Sequence, residues 1–144
     1  MYLTIRAIVL RVTDYNDHDA LLTVLTQNYG KLTIKARGLR RKNSPLIAPC
    51  QLLAFGEFTL FEYKGKYTIN EAHALELFQG LRRELTQLSL GSYFAQVAEL
   101  ISQEDMPNPE LQALLLNCLY ALSALHLPET MVKAVFELRA ACLA

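Results

Sequence analysis

The stretch from Ala20 to Gly38, ALLTVLTQNYGKLTIKARG, decides the fold because it holds two strand patterns around one turn. The first run, which ends at Thr26, is apolar and β-branched, as strands commonly are. Gly30 closes the turn and can adopt the positive φ that a tight turn requires. After the turn, apolar residues alternate with cations and threonine, which is the period of a strand with one core face. The stretch therefore predicts a β-hairpin whose second strand runs from Lys31 to Gly38.

The rest of the first half continues this strand pattern. Pro45 and Pro49 exclude regular structure from a longer loop over residues 39–50. Five strands are predicted in all: Leu3–Val12, Ala20–Thr26, Lys31–Gly38, Leu52–Tyr63 and Tyr67–Leu77. The first is apolar enough to be buried on much of both faces. Five short strands in about 75 residues predict a small closed barrel, for which the oligonucleotide-binding (OB) fold is the leading candidate.

The chain changes character near Gly80, after which leucine, alanine, glutamate and glutamine recur at helical spacing. Three helices are predicted, and the first places an apolar face over residues 80–103: Leu81, Leu85, Leu88, Phe94, Val97 and Ile101. The second has an N-cap at Asn108 and Pro109 at its first position. Its strong apolar stripe consists of Leu111, Leu114, Leu115, Cys118, Leu119, Leu122 and Leu125. The third follows Pro128 and carries a stripe that we expect to be core: Met131, Val135, Leu138 and Cys142. The predicted class is α+β, with an OB barrel in residues 1–79 and a helical domain in residues 80–144.

Charge is distributed unevenly along a chain that is neutral overall. Residues 1–70 carry ten cations against five acids, whereas residues 71–144 carry four against nine. Six of the cations and no acid lie within residues 31–42: Lys31, Lys35, Arg37, Arg40, Arg41 and Lys42. Fixed cations along a strand suit a phosphate backbone, because each neutralised phosphate releases condensed counterions. We therefore favour polyanion binding over the alternative that these side chains only solvate a strand face and protect an edge.

Aromatic side chains and a second pair of cations are further candidates for binding. Four tyrosines flank the predicted strand ends and could stack on bases, although packing is the commoner role of a strand tyrosine: Tyr15, Tyr29, Tyr63 and Tyr67. Lys133 and Arg139 are two of only four cations after residue 70. Either could meet an acidic, apolar peptide in a groove between helices. The alternative is that both are ordinary surface cations, which helix C-terminal halves attract.

Catalytic and metal-binding signatures find little support. No nucleophile elbow, Walker loop or dinucleotide fingerprint occurs, so we assign no catalytic residue and no cofactor. The turn DYNDHD, from Asp14 to Asp19, is interpreted as an Asx-rich turn rather than a metal site. Cys50, Cys118 and Cys142 form no CxxC pair, which favours a reducing cytosol over a disulfide framework or a zinc site. No apolar run is long enough to span a membrane.

Together these segments resemble the bacterial DNA repair protein family RecO. The matching motifs are Val9-Leu10-Arg11, the DYNDHD turn, Leu21-Leu22-Thr23, Gly30-Lys31-Leu32, Ala36-Arg37-Gly38 with Arg40, Ser44 with Leu46, and FELR at Phe136–Arg139. Asp17 stands where the family usually has glutamate. Family members usually continue for about another hundred residues, a further domain's worth of chain, often with a zinc site. We therefore expect residues 80–144 to be a truncated helical domain, and the alternative is that the chain is an unusually short member of the family.

The resemblance implies an OB-fold DNA-binding domain and a helical domain in a bacterial cytoplasmic protein associated with the nucleoid. Family members bind single- and double-stranded DNA, anneal strands, hydrolyse no nucleotide, and help load RecA onto strands coated by single-strand-binding protein. They work with RecR, and in many bacteria RecF, and contact the acidic tail of the single-strand-binding protein. The family's OB cations correspond here to Lys31, Lys35, Arg37, Arg40 and Arg41. Lys42, Arg11 and Tyr15 complete the predicted DNA site, and Lys133 and Arg139 are the candidate tail contacts.

Three alternatives to a DNA-binding mediator stay open. The first is a protein-interaction module that binds an acidic partner without touching DNA. Competition by single-stranded DNA would separate it from the favoured function. The second is a small hydrolase or metal enzyme that uses the Asp/His turn, and the third is a structural fragment with no function of its own.

Overall fold

The computed structural model describes residues 1–144, in which a closed five-stranded barrel precedes four helices. The strands are β1 (Tyr2–Asp14), β2 (Ala20–Thr26), β3 (Lys31–Ala36), β4 (Phe55–Tyr63) and β5 (Lys66–Glu76). The helices are α1 (Gln79–Arg82), α2 (Leu85–Ile101), α3 (Pro109–Ser123) and α4 (Glu129–Leu143). The barrel closes in the order β1-β2-β3-β5-β4, and the β3–β5 pair is parallel while the other pairs are antiparallel. The predicted α+β class, an OB barrel followed by helices, is confirmed.

Strand β1 is buried on both faces in its middle, from Ala7 to Leu10, as its apolar run predicted. Alternate residues belong to the core inside the barrel: Ile5, Ala7 and Val9. Ile8 and Leu10, on the other face, pack in a second core together with the helices. Because the strand separates two cores, a nearly continuous apolar run replaces the alternation of a half-exposed strand.

The hairpin of β2 and β3 forms as predicted, but β3 ends at Ala36 rather than at Gly38. Gly38 has a φ of 68°, a left-handed conformation that a strand does not contain. Its amide donates a hydrogen bond to Oδ1 of Asp19 at 2.7 Å instead of to a neighbouring strand. The sequence pattern of a strand therefore continues to Gly38, two residues beyond the last strand residue, Ala36.

Two other predicted boundaries also differ from the structure. Residues 52–54 precede β4 rather than open it, since Leu53 has a φ of 69° and interrupts the extended backbone. The turn between β4 and β5 contains only Lys64 and Gly65, both at positive φ, so Lys66 already belongs to β5. A two-residue turn of this kind matches the twist of an antiparallel hairpin.

The first predicted helix is two helices, α1 and α2, separated by residues 83–84. The Arg82 side chain stabilises the break, because Nε and Nη2 donate to the carbonyl oxygens of Leu77 and Leu52, both at 2.9 Å. The chain turns here, and Leu85 at the start of α2 is 81% exposed. Its predicted place on the apolar face of one long helix was wrong.

Helix α3 agrees with its sequence pattern. The Asn108 side chain accepts a hydrogen bond from the amide of Leu111 at 3.2 Å, and Pro109 occupies the first helical position. Six members of the predicted stripe are buried: Leu111, Leu114, Leu115, Cys118, Leu119 and Leu122. Leu125 lies beyond the end of the helix and is exposed.

The second core, outside the barrel interior, contains residues of both the barrel and the helices. Its 18 buried residues include four from the first half of the chain: Ile8, Leu10, Leu25 and Leu53. Gln112 of α3 is buried among them and donates to the carbonyl oxygens of Arg6 and Leu25, at 3.2 and 3.0 Å. The helices therefore cover one side of the barrel, and a satisfied buried amide sets the position of α3 against it.

Helix α4 buries a different stripe from the predicted one. Val132, Phe136 and Ala140 are buried, and the Phe136 ring stacks on Phe94 of α2 at 4.2 Å between centroids. The stripe expected in the core is exposed: Met131, Val135, Leu138 and Cys142. The helix carries apolar residues on two faces, and the aromatic stack selects the face that turns inward. None of the four helices is both long and apolar enough to cross a bilayer.

Candidate nucleic-acid interface

A groove of about 850 Å³ lies between β3 and the hairpin of β4 and β5. No carboxylate lines it, although the chain has as many acids as bases. Its cations are Lys35, Arg37 and Lys66, and its aromatic residues are Tyr2, Tyr15, Phe61, Tyr63 and Tyr67. Thr33, Thr68 and Asn70 add hydrogen-bonding groups. We call this surface the barrel groove.

Strand β3 supplies cations to the barrel groove because its residues alternate. Leu32, Ile34 and Ala36 are buried in the barrel, so Lys35 lies on the other face, and Arg37, directly after the strand, also lines the groove. The Lys35 ammonium lies 4.6 Å from the centroid of the Tyr15 ring, within cation–π distance. The predicted separation of a core face and a cationic face in this strand is confirmed.

The turn between β1 and β2 positions Tyr15 at the groove. Asn16 Oδ1 accepts hydrogen bonds from the amides of His18 and Asp19, both at 2.9 Å, so the predicted Asx turn is confirmed. Asp19 accepts in turn from the amide of Gly38 and from the Asn16 side chain. These bonds, the one from Gly38 above all, lower the pKa of Asp19. One carboxylate therefore links the turn that holds Tyr15 to the chain that follows Arg37.

The β4–β5 hairpin forms the other wall of the groove, and its cations were not among the predicted site residues. Lys66 lines the groove, and Lys64 lies 5.4 Å from the centroid of the Tyr63 ring. Glu62 accepts a hydrogen bond from the amide of Gly65 and so stabilises the turn. The sequence signal was YKGKY, in which two lysines and two tyrosines surround one glycine. Because these lysines lie between two predicted strands, the sequence pattern indicates a turn and does not by itself indicate a binding site.

The four tyrosines predicted to stack on bases do not all lie at the same site. Tyr15, Tyr63 and Tyr67 line the barrel groove, whereas Tyr29 lies in a different, smaller pocket beside Arg6. Burial raises the pKa of Tyr67, so its hydroxyl stays protonated near neutral pH. Tyr2 and Phe61 were missed because neither lies in a charged segment.

The loop after β3 carries the remaining cations of the cluster. Arg40 is bound to Asp14, with Nη2 and Nε at 2.7 and 3.0 Å from the same carboxylate oxygen. Arg41 and Lys42 are exposed, and neither forms a salt bridge. The loop therefore presents two free cations and one that is already paired.

Arg11 and Lys31 lie away from the groove and contact α2 instead. Arg11 forms a salt bridge with Glu99 at 3.1 Å. The Lys31 ammonium donates to the carbonyl oxygen of the same glutamate at 2.9 Å, and the Lys31 amide donates to the carbonyl of Gln103. Neither residue lines the barrel groove. Both cations connect the barrel to the helices.

Helices α3 and α4 form a second groove, of about 770 Å³, which we call the helical groove. Most of its lining is apolar and includes the exposed stripe of α4, namely Met131, Val135, Leu138 and Cys142. Arg139 also lines it, so this predicted cation lies beside apolar surface. Lys133 does not, because it lies over the Tyr93 ring at 5.9 Å from the centroid. The structure thus places the two predicted partner contacts on different faces of α4.

The remaining reactive side chains have ordinary surroundings. Burial raises the pKa of Cys50 to about 12 and that of Cys118 to about 11, so both thiols stay protonated near neutral pH. His73 is exposed and bonded to Glu71 at 2.9 Å. No group of three or more metal-ligating side chains converges anywhere in the chain.

Comparisons with known proteins cover nearly the whole chain. Residues 1–78 match the family described as recombination protein O N terminal, and residues 82–144 match the one described as recombination protein O C terminal. The DNA repair protein RecO of Acetivibrio thermocellus is 33% identical over 138 residues, which are 96% of this chain and 55% of that protein. The RecO proteins of Alkaliphilus metalliredigens and Clostridium novyi are 30% and 28% identical over 96% and 93% of this chain.

The chain spans about half the length of the curated relatives it matches, since it covers 56% of the Alkaliphilus protein and 52% of the Clostridium protein. The two family matches nonetheless leave only residues 79–81 unassigned. The barrel, the helices and both family matches agree with the resemblance seen in the sequence motifs. The chain therefore belongs to the RecO family.

Proposed function

We propose that this chain is the DNA-binding part of a recombination mediator in DNA repair, and that the barrel groove is its DNA site. One observation carries the proposal: three cations and five aromatic residues converge on a groove that no acid lines. The repair role named for the relatives and the fold support it in general terms. The groove supports it in particular, because the other large surface of the chain, in residues 71–144, carries four cations against nine acids and would repel phosphate.

Capture of the strand is electrostatic in this proposal. Lys35, Arg37 and Lys66 neutralise phosphates within the groove, and Arg41 and Lys42 extend the cationic surface into the loop. Arg37 and Arg41 can bind a phosphate through two parallel hydrogen bonds, whereas lysine acts as a mobile point charge. The protein supplies binding and no chemical step.

The other predicted DNA contacts take a secondary place in this proposal. Tyr15 belongs to the site as the residue that lies beside Lys35. Arg40 can join only if its bond to Asp14 opens. Arg11 and Lys31 stay sequence predictions, and we leave them out of the proposed groove because α2 already binds their charged groups.

Family membership supports a finer proposal for the complete activity. The chain would bind and anneal single strands and also bind duplex. Together with RecR, and in many bacteria RecF, it would help load RecA onto DNA coated by single-strand-binding protein. The acidic tail of the single-strand-binding protein would occupy the helical groove, with its carboxylates at Arg139 and its apolar side chains on the α4 stripe. Lys133 stays a candidate contact on the neighbouring face.

Titration of a labelled single strand of about 30 nucleotides, followed by fluorescence anisotropy at several salt concentrations, tests the DNA site. The test variant changes Lys35→Glu and Arg37→Glu together. Arg83→Glu is the control, since Arg83 is an exposed cation outside the groove. We expect salt-sensitive binding that the double variant loses and the control keeps.

Two results of this titration would count against the proposal. If the wild-type protein bound no strand at low salt, the cations would serve an acidic protein partner or only solvation. If both variants lost binding equally, general charge rather than the groove would explain the affinity. A titration with an acidic peptide tests the helical groove separately. Arg139→Glu should weaken binding of this peptide and leave DNA binding unchanged.

A further inference from the structure

Five residues of the barrel groove are successive neighbours across the sheet. Leu21 of β2 lies opposite Lys35 of β3, and Lys35 lies opposite Thr68 of β5. Thr68 lies opposite Phe61 of β4, and Phe61 lies opposite Tyr2 of β1. Paired residues of neighbouring strands share a face of the sheet, and all five line the groove. The groove therefore contains one continuous row that begins apolar, passes a cation and a hydroxyl, and ends in two aromatic rings.

The aromatic end of this row is exposed, and its two rings lie against each other. Tyr2 and Phe61 lie 5.3 Å apart between ring centroids, tilted by 60°. Their exposed fractions are 64% and 39%, and that of Tyr63, two residues after Phe61 on the same face, is 62%. Large aromatic side chains of a small domain are usually buried more than this. A ligand with flat apolar faces would cover them.

The chemistry of the row matches the two parts of an unpaired nucleotide. Phosphates suit the end at Lys35, while the faces of bases suit the rings at Tyr2, Phe61 and Tyr63. Thr68, between the two ends, can exchange hydrogen bonds with sugar or base edges. A duplex cannot use the aromatic end, because its bases are already stacked on each other and only their edges are accessible.

We propose that the aromatic end of the barrel groove makes the site selective for single strands, with unpaired bases stacked on Tyr2, Phe61 and Tyr63. This inference rests on the proposed DNA-binding function. It adds a division of labour: the groove aromatics distinguish single strands from duplex, whereas Arg41 and Lys42 of the loop attract either form through its phosphates. The loop cations lie outside the groove and are exposed, so they can contact the phosphates of a duplex without any contact to its bases.

Two variants and one control test this division by anisotropy titration of a single strand and of a duplex of the same sequence. The aromatic variant changes Tyr2→Leu and Tyr63→Leu, which keeps apolar residues at both exposed strand positions. The loop variant changes Arg41→Ser and Lys42→Ser. Tyr120→Leu is the control, because Tyr120 is a half-exposed aromatic residue of α3 that lies outside the groove.

We expect the aromatic variant to lose about 5- to 150-fold in single-strand affinity for each base that no longer stacks, with unchanged duplex affinity. We expect the loop variant to weaken binding of both the single strand and the duplex, and the control to change neither. Equal losses for strand and duplex in the aromatic variant, or no loss at all while the wild type binds, would overturn the inference and leave the DNA site in place. Absence of any wild-type binding would remove the DNA site itself, and the inference with it.

A change on the ligand side keeps the test informative if the aromatic variant does not fold. The probe is a single strand with the same number of phosphates in which the central bases are replaced by abasic sites. The wild-type protein should bind this strand more weakly than the intact strand, by the factor expected for the aromatic variant. The salt dependence of binding should be the same for both strands. Equal affinity for the two strands would show that the bases contribute nothing and would refute the stacking.

Discussion

The salt dependence of single-strand binding can decide which cations of this chain are free to neutralise phosphates. Nine cations lie in or beside the predicted DNA surface, and three of them are already bound: Arg11 to Glu99, Lys31 to a main-chain carbonyl and Arg40 to Asp14. Six form no salt bridge in the structure: Lys35, Arg37, Arg41, Lys42, Lys64 and Lys66. The sequence alone does not separate these two groups, whereas a binding measurement can.

The expected magnitude follows from the number of free cations. Each phosphate contact to a single strand contributes about −0.7 to the slope of log K against log salt concentration. Six contacts predict a slope of about −4, so that a fourfold rise in salt weakens binding roughly 300-fold. Participation of all nine cations predicts a slope of about −6 and a loss of roughly 6,000-fold over the same range. The two cases are well separated within one titration series.

Two matched variants refine this measurement. Lys35→Gln should reduce the steepness of the slope by about 0.7, because it removes one free cation of the groove. Arg11→Gln removes the same charge from a cation bound to α2 and should leave the slope unchanged. The exposed bridge that Arg11 forms contributes little to stability, so this control should stay folded.

A slope near −6, with equal effects of the two variants, would refute the reasoning, since it would mean that bound cations leave their partners to meet the strand. A slope near zero would refute it differently, because phosphate neutralisation would then not drive binding at all. Anisotropy with a fixed strand length and one type of salt is sufficient for both tests.

Three further predictions concern stability. Gly30→Ala should lower the free energy of unfolding by at least ~1 kcal/mol, as measured by denaturant titration. The backbone φ is 69° at Gly30, and the new methyl group would meet carbonyl oxygens of the loop after α2. An unchanged denaturation midpoint would contradict this prediction. Phe136→Ala should cost about 3–5 kcal/mol, since the ring is fully buried against Phe94, whereas Leu138→Ala in the exposed stripe should stay within about 0.5 kcal/mol. Equal losses would show that α4 buries both faces. The pKa of Asp19 is lowered in the folded protein, so its stabilising effect is present above the ordinary value of 3.8 and is lost as pH falls below it. Asp19→Asn should therefore flatten the dependence of Tm on pH in that acid range, and an identical pH profile for both proteins would argue against the role of this carboxylate.

Local patterns were sufficient for several elements of this fold. The alternation in β3 identified its core face and its cationic face, and Asn108 with Pro109 identified the start of α3. The Asn16 turn was also predicted correctly, because an Asx turn depends on bonds between residues three or fewer apart. These features need only neighbouring residues, so a single sequence contains their cause.

Predictions that depended on a choice between two local options were less successful. Helix α4 has apolar residues on two faces, and nothing within the helix decides which face turns inward. The decision comes from Phe94, whose ring stacks on Phe136 from another helix. The break before α2 has a similar origin, since Arg82 binds the carbonyl of Leu52 in a distant loop.

The candidate site shows the same division between local and distant causes. The cationic cluster was visible in the sequence because its residues are contiguous, and so was the assignment to the RecO family, because its motifs are short runs. Only the folded chain decided that Arg11 and Lys31 are bound by α2, while Lys66, Tyr2 and Phe61 join Lys35 in one groove. Charge and aromatic character belong to single residues, but whether a cation is free, or a ring is exposed beside it, depends on pairings between strands and helices that lie far apart along the chain.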